Sequence, residues 1–252
     1  MSAPGEDFWS DVPFGPGVSR VALDANGLAA LDKPQGVLSH PNSLRDEARS
    51  LIRAHYDGEG ECFHWIGTGG ARRLWLINRL DSATSGLILA ATDGDLAREV
   101  RAQFQRRQVR KTYQALVFGK PRQDAETWRD VLDVRKQGGR IRTAAGSGGL
   151  PAECRMALVR AAARPVRLSL IRLEPQTGRS HQLRVQCAKR GLPIVGDRTY
   201  GDFGANREFA KAGGAKRMFL HSLAIAFEYA SGGRTNEFSA VAPLPPEFEA
   251  FG

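Results

Sequence analysis

Cysteine is scarce in this chain, and long apolar runs are absent. The three cysteines, Cys62, Cys154 and Cys187, are odd in number, far apart and in no spacing typical of metal ligands. This pattern excludes a disulfide framework and argues against structural zinc, so we expect a reducing, cytoplasmic setting. No run approaches the roughly 18 apolar residues that a membrane span needs, and the acidic first residues lack the apolar core of a signal peptide.

Acidic residues are outnumbered, but only in one part of the chain. The 252 residues hold 36 Lys and Arg against 27 Asp and Glu, a net charge of +9. Residues 1–61 hold 5 basic and 10 acidic residues, so residues 62–252 hold 31 (36 − 5) against 17 (27 − 10), a net of +14. Such charge indicates a polyanionic partner, because each phosphate that Lys or Arg neutralises releases counterions. Charge alone leaves DNA, RNA and anionic membranes open.

Hydrophobic patterning predicts a mixture of strands and helices. Apolar runs over 20–24 and 28–31 flank Asn26-Gly27, which predicts a hairpin. Apolar residues at helical spacing predict a helix over 42–56, and the glycine-rich residues 57–73 predict an irregular loop. Further predicted elements are a helix opened by Thr92-Asp93, a strand over 109–118, an antiparallel meander over 128–173, a helix over 180–191, a short helix over 206–212, and a hairpin of strands over 218–229 and 235–241.

No internal repeat or linker divides the sequence. We therefore predict one α+β domain over 19–245, built on a central mixed, mainly antiparallel sheet flanked by helices and loops. An irregular arm over 1–18, with aromatic residues that pin it to the body, precedes this domain, and a tail over 246–252 follows it.

The most informative stretch runs from Asn78 to Gly86 and lies between two apolar runs, 74–77 and 87–91. Polar residues on a loop that two buried strands hold are a usual place for chemistry. Two interpretations of this stretch are open at this point. Arg79 and Asp81 form a surface ion pair of little energetic weight, or Asp81 is a functional carboxylate.

A strongly basic segment covers residues 98–111. Six cations accompany one acid, Glu99; the cations are Arg98, Arg101, Arg106, Arg107, Arg110 and Lys111. A solvated helix face is the ordinary explanation, but beside a region of net +14 we favour phosphate contact. A second basic group, Arg135, Lys136, Arg140 and Arg142, lies in a glycine-rich loop that either closes over a nucleic acid or has no partner.

Three separated motifs resemble one family. They are Arg79-Leu80-Asp81 with Thr84-Ser85-Gly86, Lys111-Thr112-Tyr113-Gln114-Ala115-Leu116-Val117, and Gly178-Arg179-Ser180-His181-Gln182-Leu183-Arg184-Val185. With 32–36, 193–197 and Leu220-His221, they occur in the order found in the RluA-type (RluA/RluC/RluD-like) RNA pseudouridine synthases. The resemblance extends from about residue 20 to 245.

The resemblance implies the pseudouridine synthase catalytic fold. It also implies an isomerase that converts uridine in structured RNA to pseudouridine, ribosomal RNA in preference to transfer RNA, without a metal or another cofactor. Asp81 matches the family's nucleophile, which attacks the ribose or helps to remove its C2′ proton; the sequence leaves both open. Tyr113 matches the tyrosine that stacks on the uracil and takes the C5 proton. Arg184 matches the arginine that pairs with the nucleophile.

RNA contacts follow from the same resemblance and from the basic segment. Arg79 matches the residue that fills or braces the stack after the uridine flips out. The remaining expected RNA-binding residues are Asn78, Lys33, Arg106, Arg107, Arg110, Lys111, Arg179, His181 and Gln182. Two positions depart from the family pattern, because Asn78 and Gln186 stand where histidine is common. We expect a monomer with RNA as its partner, no membrane partner, and RNA selection by the catalytic domain itself.

Two other function classes remain open. A non-catalytic RNA-binding or ribosome-assembly factor would keep the fold and the basic face without using Asp81. A carboxylate-based hydrolase of nucleosides or glycosides is disfavoured, since no second carboxylate accompanies Asp81 in a recognisable motif.

Overall fold

The computed structural model describes residues 6–137, 140–145, 148–162 and 166–251. The chain forms two compact units. The first unit comprises Met1–Val109 and Ala224–Ala242, and the second comprises Arg110–Leu223 and Pro243–Gly252. The chain therefore passes from one unit to the other three times.

The secondary structure confirms an α+β protein. Its helices are α1 (Glu6–Ser10), α2 (Gly94–Gln105), α3 (Gln182–Lys189) and α4 (Phe203–Lys211), with 3-10 helices over Leu44–Arg49 and Pro246–Phe251. Its strands are β1 (Ser19–Leu23), β2 (Leu28–Lys33), β3 (His55–Asp57), β4 (Cys62–Gly67), β5 (Gly70–Leu76), β6 (Ser85–Ala91), β7 (Arg110–Phe118), β8 (Ala125–Gln137), β9 (Arg140–Ala145), β10 (Leu150–Ala162), β11 (Leu168–Pro175), β12 (Leu220–Ser231) and β13 (Arg234–Val241).

The first unit contains antiparallel strands in the order β1-β2-β6-β5-β4-β3, together with the part of β12 from Ala224 onward and its antiparallel partner β13. Strand β6 is buried along its whole length, which explains why its sequence is almost entirely apolar. Helix α2 begins where predicted, since the Asp93 carboxylate accepts hydrogen bonds from the backbone N–H groups of Asp95 and Leu96. Leu96 and Val100 of this helix pack into the core with Leu87 and Leu89.

The second unit contains antiparallel strands in the order β7-β11-β10-β8-β9. One of its core clusters includes Leu116 and Phe118 of β7, Phe209 of α4 and Phe248 of the last 3-10 helix. Phe248 is fully buried, so this residue of the predicted tail packs as part of this core.

The predicted helix over 42–56 is wrong. A 3-10 helix covers Leu44–Arg49, and the chain beyond it is extended and enters β3. The backbone N–H of Leu51 donates to the carbonyl of Leu38, and Ile52 bridges Phe14. Because this extended course buries Leu51 and Ile52 completely, tertiary pairing overrides the local helical spacing.

The predicted irregular loop over 57–73 is also wrong, because β4 and β5 form a hairpin there. Thr68 and Gly69 form its turn. Gly69 and Gly70, the first residue of β5, have φ values of 85° and 123°, conformations open to glycine. The basic loop after β8 differs in the same way, since β9 pairs with β8. The side chains of Arg135, Lys136, Arg140 and Arg142 lie outside the described residues, so their predicted closure over RNA stays a prediction.

The arm is pinned by its aromatic residues, as predicted, although it includes helix α1. Trp9 is buried, Phe8 packs edge-on against Trp65, and the indole N–H of Trp65 donates to the Asp11 carbonyl. The predicted single domain over 19–245 stays a prediction beside the two compact units. No helix in the described part of the chain is long and apolar enough to cross a membrane.

Candidate active site

The loop that carries Asp81 connects β5 to β6 in the first unit and is fixed on both sides of that residue. The Leu80 N–H donates to the Ser39 hydroxyl (3.0 Å), and this hydroxyl donates to the Leu80 carbonyl (2.7 Å). On the other side, the Thr84 N–H donates to the Asp81 carbonyl (3.0 Å). Asp81 itself is half-buried. These bonds hold the carboxylate on a rigid backbone.

The Lys33 side chain is hydrogen-bonded to the backbone of this loop and of the segment after β2. It is fully buried, and its ammonium donates to the carbonyls of Pro34 (3.0 Å), Val37 (2.9 Å) and Ser82 (3.3 Å). The Gly36 N–H donates to the same Ser82 carbonyl (2.7 Å). A buried ammonium bonded to three carbonyls fixes the backbone beside Asp81. The predicted RNA contact of Lys33 stays a prediction.

Gly86 at the start of β6 has φ 105° and lies opposite Lys33 in the sheet. Any other residue would be strained in this conformation. The glycine of the Thr84-Ser85-Gly86 motif therefore has a structural cause, since it lets the chain leave the Asp81 loop directly into the buried strand.

Asn78 and Arg79 precede the nucleophile candidate and have different surroundings. The Asn78 side-chain oxygen accepts the Leu89 N–H (2.7 Å), so this side chain ties the loop to β6. Arg79 is exposed, and its Nη1 lies 3.4 Å from His40 Nε2, while the His40 ring stacks on Tyr56 at 4.8 Å. An exposed guanidinium beside a stacked aromatic pair can meet a nucleotide; the predicted RNA contact of Arg79 is untested.

Tyr113 lies on β7 of the second unit, opposite Leu173 of β11. It is half-buried at the point where β7 changes from partly covered to fully buried residues. The predicted strand is confirmed, and the role of Tyr113 as the base stays a proposal.

Arg184 lies on α3 and forms a buried bidentate ion pair with Asp197. Its Nε and Nη2 are 2.7 and 2.8 Å from the two carboxylate oxygens. Asp197 Oδ1 also accepts the N–H groups of Thr199 (2.8 Å) and Tyr200 (3.1 Å). Burial acts to raise the pKa of Asp197, but the Arg184 bonds and charge, with these two donors, outweigh it and leave the pKa below its usual value. The carboxylate stays ionised and fixes the guanidinium.

Tyr200 connects Arg184 to its surroundings. The Arg184 guanidinium lies over the Tyr200 ring, 5.0 Å from its centroid, and the Tyr200 hydroxyl is 2.8 Å from His181 Nδ1. The same hydroxyl accepts the Thr143 N–H of β9 (2.9 Å), and the Thr143 hydroxyl donates to the Ser180 carbonyl (2.8 Å). His181 and Arg184, predicted to share a face of the helix, thus both meet Tyr200.

The start of α3 differs slightly from the prediction. His181, with φ 55°, is the N-cap residue, and the predicted cap near Ser180 is therefore one residue early. The predicted stop is confirmed, since Gly191 with φ 68° follows the helix.

Two glutamines near Arg184 are structural. Gln182 is buried; its Oε1 accepts from the Thr177 hydroxyl (2.7 Å) and the Arg179 N–H (3.0 Å). These bonds tie Gln182 to the turn before α3, and its predicted RNA contact stays a prediction. Gln186 donates to Asp130 (2.9 Å), whose carboxylate also binds Lys189 and Arg190. Gln186 stands where the family pattern commonly has histidine. Its amide supplies a hydrogen-bond donor that, unlike a histidine ring, does not titrate.

The cationic side chains of the basic segment, residues 98–111, differ in their exposure to solvent. Arg106 and Arg107 at the end of α2 and Arg110 at the start of β7 are exposed. Arg101 is partly buried, pairs with Glu61 at 3.3 Å and donates to the Leu76 carbonyl, so it stabilises the fold. Burial lowers the pKa of the half-buried Lys111. The predicted RNA contacts of several residues stay proposals; they are Arg106, Arg107, Arg110, Lys111, Arg179 and His181.

Sequence reasoning missed Ser39, Asp197, Tyr200 and Thr143 as supports of the site. One signal was present for Asp197, because it follows Gly196 within a segment that matches the family. Gly196 has φ 78°, and a Cβ there would lie 1.7 Å from the Arg217 carbonyl. Only glycine permits this close backbone approach directly before Asp197.

A family model for RNA pseudouridylate synthase matches residues 27–189. This match spans Asp81, Tyr113 and Arg184. The chain belongs to the RNA pseudouridylate synthase family, whose members are isomerases that modify RNA, and the RluA-type resemblance is confirmed.

Two named relatives show the range of RNA targets in similar proteins. A tRNA pseudouridine synthase C of Yersinia pestis is 31% identical over 204 residues, covering 77% of this chain and 75% of the relative. A ribosomal large subunit pseudouridine synthase C of Haemophilus influenzae is 30% identical over 251 residues, covering 92% and 70%. Against such relatives the chain spans from 50% to 75% of their length.

A solved structure supports the fold. Human RNA pseudouridylate synthase domain containing 1 superposes with a TM-score of 0.67 at 23% identity, covering 94% of this chain and 90% of that chain. This similarity confirms the predicted pseudouridine synthase fold.

The three candidate catalytic residues are distributed over both units. Asp81 belongs to the first unit, with Lys33, Asn78 and Arg79 around its loop. Tyr113 and Arg184 belong to the second unit. Within the second unit, Tyr200 brings together Arg184 and His181.

Proposed function

We propose that this protein is an RNA pseudouridine synthase that isomerises uridine in structured RNA, with Asp81 as the nucleophile. The observation that carries this proposal is the match of one family model across all three motifs in the predicted order. The rigid support of the Asp81 loop favours it further, since a catalytic carboxylate needs a fixed position.

The reaction rearranges bonds without any redox change. The bond between uracil N1 and ribose C1′ breaks, the uracil turns, and a bond forms between C5 and C1′. C5 loses its proton and N1 gains one, so the atoms balance. Asp81 opens this sequence by attack on the ribose or by assisting removal of the C2′ proton, and no metal or other cofactor takes part.

Tyr113 and Arg184 act on the same uridine in this proposal. Tyr113 stacks on the uracil and takes the C5 proton, and Arg184 favours the ionised form of Asp81. Their roles come from the family motif, residue by residue. The Asp197 ion pair contributes by fixing the guanidinium, because an arginine held by two parallel hydrogen bonds keeps one orientation.

We propose ribosomal RNA as the target in preference to transfer RNA, on the strength of the relative that covers most of this chain. The target uridine is flipped out of its helix, because a base inside a stacked duplex cannot be reached. Arg79, exposed beside the Asp81 loop, fills or braces the vacated stack. We propose that the protein acts as a monomer in the cytoplasm.

The test uses separate large-subunit ribosomal RNA and transfer RNA transcripts, incubated with the protein and mapped for pseudouridine by carbodiimide adducts. We expect modification of ribosomal RNA by the wild type, none by Asp81→Asn, and a rate reduced by about 10²–10⁴-fold in Tyr113→Phe. Ser82→Ala is the matched control, since Ser82 contributes its backbone carbonyl to the loop.

Equal modification by Asp81→Asn would refute the nucleophile. If wild type binds RNA tightly but modifies neither transcript, the non-catalytic RNA-binding alternative replaces this proposal. Release of free uracil would indicate hydrolysis.

A further inference from the structure

The β3–β4 hairpin of the first unit gathers metal-ligating side chains that the isomerase chemistry does not use. Asp57 of β3 lies opposite Cys62 of β4, and His55 lies opposite His64. Residues two apart on a strand point to the same face, so all four side chains share one face of the hairpin. The sequence spacing of the cysteines alone did not reveal this group, because the donors come from two strands.

Three of these side chains already converge. The ligand atoms of Asp57, Cys62 and His64 lie within 4.8 Å of one another, and Cys62 Sγ is 2.9 Å from His64 Nε2. Ligand atoms on one tetrahedral zinc ion are about 3.5 Å apart, given Zn–S and Zn–N bonds of about 2.3 and 2.0 Å. Small side-chain rotations thus convert the group into a chelate.

We propose that Asp57, Cys62 and His64, with His55 as the fourth ligand, bind a structural Zn²⁺ ion. One thiolate, one carboxylate and two imidazoles neutralise the charge of the ion, and sulfur with nitrogen donors is the combination that zinc prefers. Partial exposure of Asp57 and His64 gives the ion a path from solvent.

His55 is exposed and lies outside the converged group, so its ring must turn toward the other three side chains to complete the set. Its ring centroid is 6.3 Å from that of His64, and its Nδ1 lies 3.9 Å from the Glu47 carboxylate. A carboxylate that accepts a hydrogen bond from one ring nitrogen orients the other nitrogen toward a metal. Glu47 is the neighbour that would take this role once the 3.9 Å separation closes to hydrogen-bond distance.

The turn between the strands brings the donors close together. A Cβ at Gly60 would lie 2.7 Å from Asp57 Oδ2 and 3.3 Å from Cys62 Sγ, so glycine leaves room for the pair. Two arginines are nearby. Arg101 is balanced by its ion pair with Glu61, and Arg73, opposite His64 on β5, is exposed and can extend into solvent.

The test uses the full chain without a polyhistidine tag, stripped of metal with a chelator and titrated with Co²⁺ and then Zn²⁺. We expect a thiolate-to-cobalt charge-transfer absorption band at one ion per chain, displaced by Zn²⁺. Zn²⁺ should also raise the melting temperature, since an ion that binds only the folded state stabilises it.

The variants separate ligation from folding. Cys62→Ser should abolish the charge-transfer band, and His64→Asn, Asp57→Asn and His55→Asn should each weaken Zn²⁺ binding by at least about tenfold. Cys187→Ser, which removes a buried thiol outside the hairpin, should retain the band.

Absence of the band in the wild type, its persistence in Cys62→Ser, or wild-type Zn²⁺ affinity in His64→Asn would overturn the proposal. Circular dichroism of each stripped variant verifies that it is folded. RNA modification by the stripped wild type is expected to continue, which distinguishes loss of this site from failure of the proposed function.

Discussion

Asp197 holds Arg184 through two parallel hydrogen bonds inside the second unit, where both side chains are almost completely buried. A guanidinium in such a place depends on its counter-charge. The position of a candidate catalytic arginine is therefore set by a carboxylate thirteen residues further along the chain.

Replacing Asp197 with Asn should destabilise the protein by about 3–5 kcal/mol, because it leaves a buried charge uncompensated. Urea unfolding at neutral pH measures this loss. Asp95→Asn is the control, since it breaks the exposed pair with Arg98 and should have no measurable effect. A wild-type unfolding midpoint for Asp197→Asn would contradict the dependence of Arg184 on this carboxylate.

The pH dependence of stability should show a contribution from His221. This residue is fully buried, and burial, with a smaller effect of the Arg217 charge, lowers its pKa from 6.5 to about 4. Between these values the unfolded chain takes up a proton that the folded chain excludes, so stability falls as the pH drops from 6.5 toward 4. The full effect is about 3 kcal/mol.

The measurement is the free energy of unfolding from urea titrations of wild type and His221→Gln across this pH range. The variant should lose stability less steeply as the pH falls. If the unfolding free energies of wild type and variant change in parallel with pH, the pKa of His221 is the same in the folded and unfolded states.

Lys33→Met should destabilise the protein by about 1–3 kcal/mol, because it leaves buried carbonyls without their donor. The salt dependence of RNA binding should keep its slope, since the ammonium does not reach solvent. Lys120→Met is the matched control for stability, because Lys120 is exposed. A flatter salt slope for Lys33→Met, but not for Lys120→Met, would support the predicted RNA contact of Lys33.

Replacing Arg106 and Arg107 with Ala should weaken RNA binding and flatten its salt dependence. For each phosphate that the variant no longer neutralises, the logarithmic slope should fall by about 0.7–0.9. Filter binding at several salt concentrations measures this, and Arg98→Ala, on the same helix and paired with Asp95, is the control. The rate of modification at saturating RNA should be preserved. Unchanged affinity at low salt would indicate that Arg106 and Arg107 face solvent only.

Local signals were sufficient where the chain's own pattern decides the structure. The Asn26-Gly27 hairpin, the Asp93 cap of α2 and the apolar strands around Asp81 all follow from residues adjacent in sequence. The helix expected over 42–56 failed because Leu51 and Ile52 gain more from extended pairing with distant residues.

In the candidate site, too, local sequence signals identify some residues, and contacts between distant segments determine others. Family motifs pointed to Asp81, Tyr113 and Arg184 as candidates. They did not reveal that Lys33 and Gln182 are buried, because a polar residue in a motif carries no information on its burial. Asp197, Ser39 and Tyr200 act through contacts between segments that no spacing rule predicts.

The three crossings of the chain between the units have a consequence for synthesis. The core cluster that contains Leu87 and Leu89 of β6, the strand after the Asp81 loop, also includes residues of the last hairpin. These residues are Ile225, Phe227 and Phe238. A ribosome that has translated the whole Asp81 loop must add well over a hundred more residues before this core is complete. The nascent enzyme therefore cannot reach its mature form until the last hairpin has been translated, and a product that stops before Ile225 is expected to be inactive.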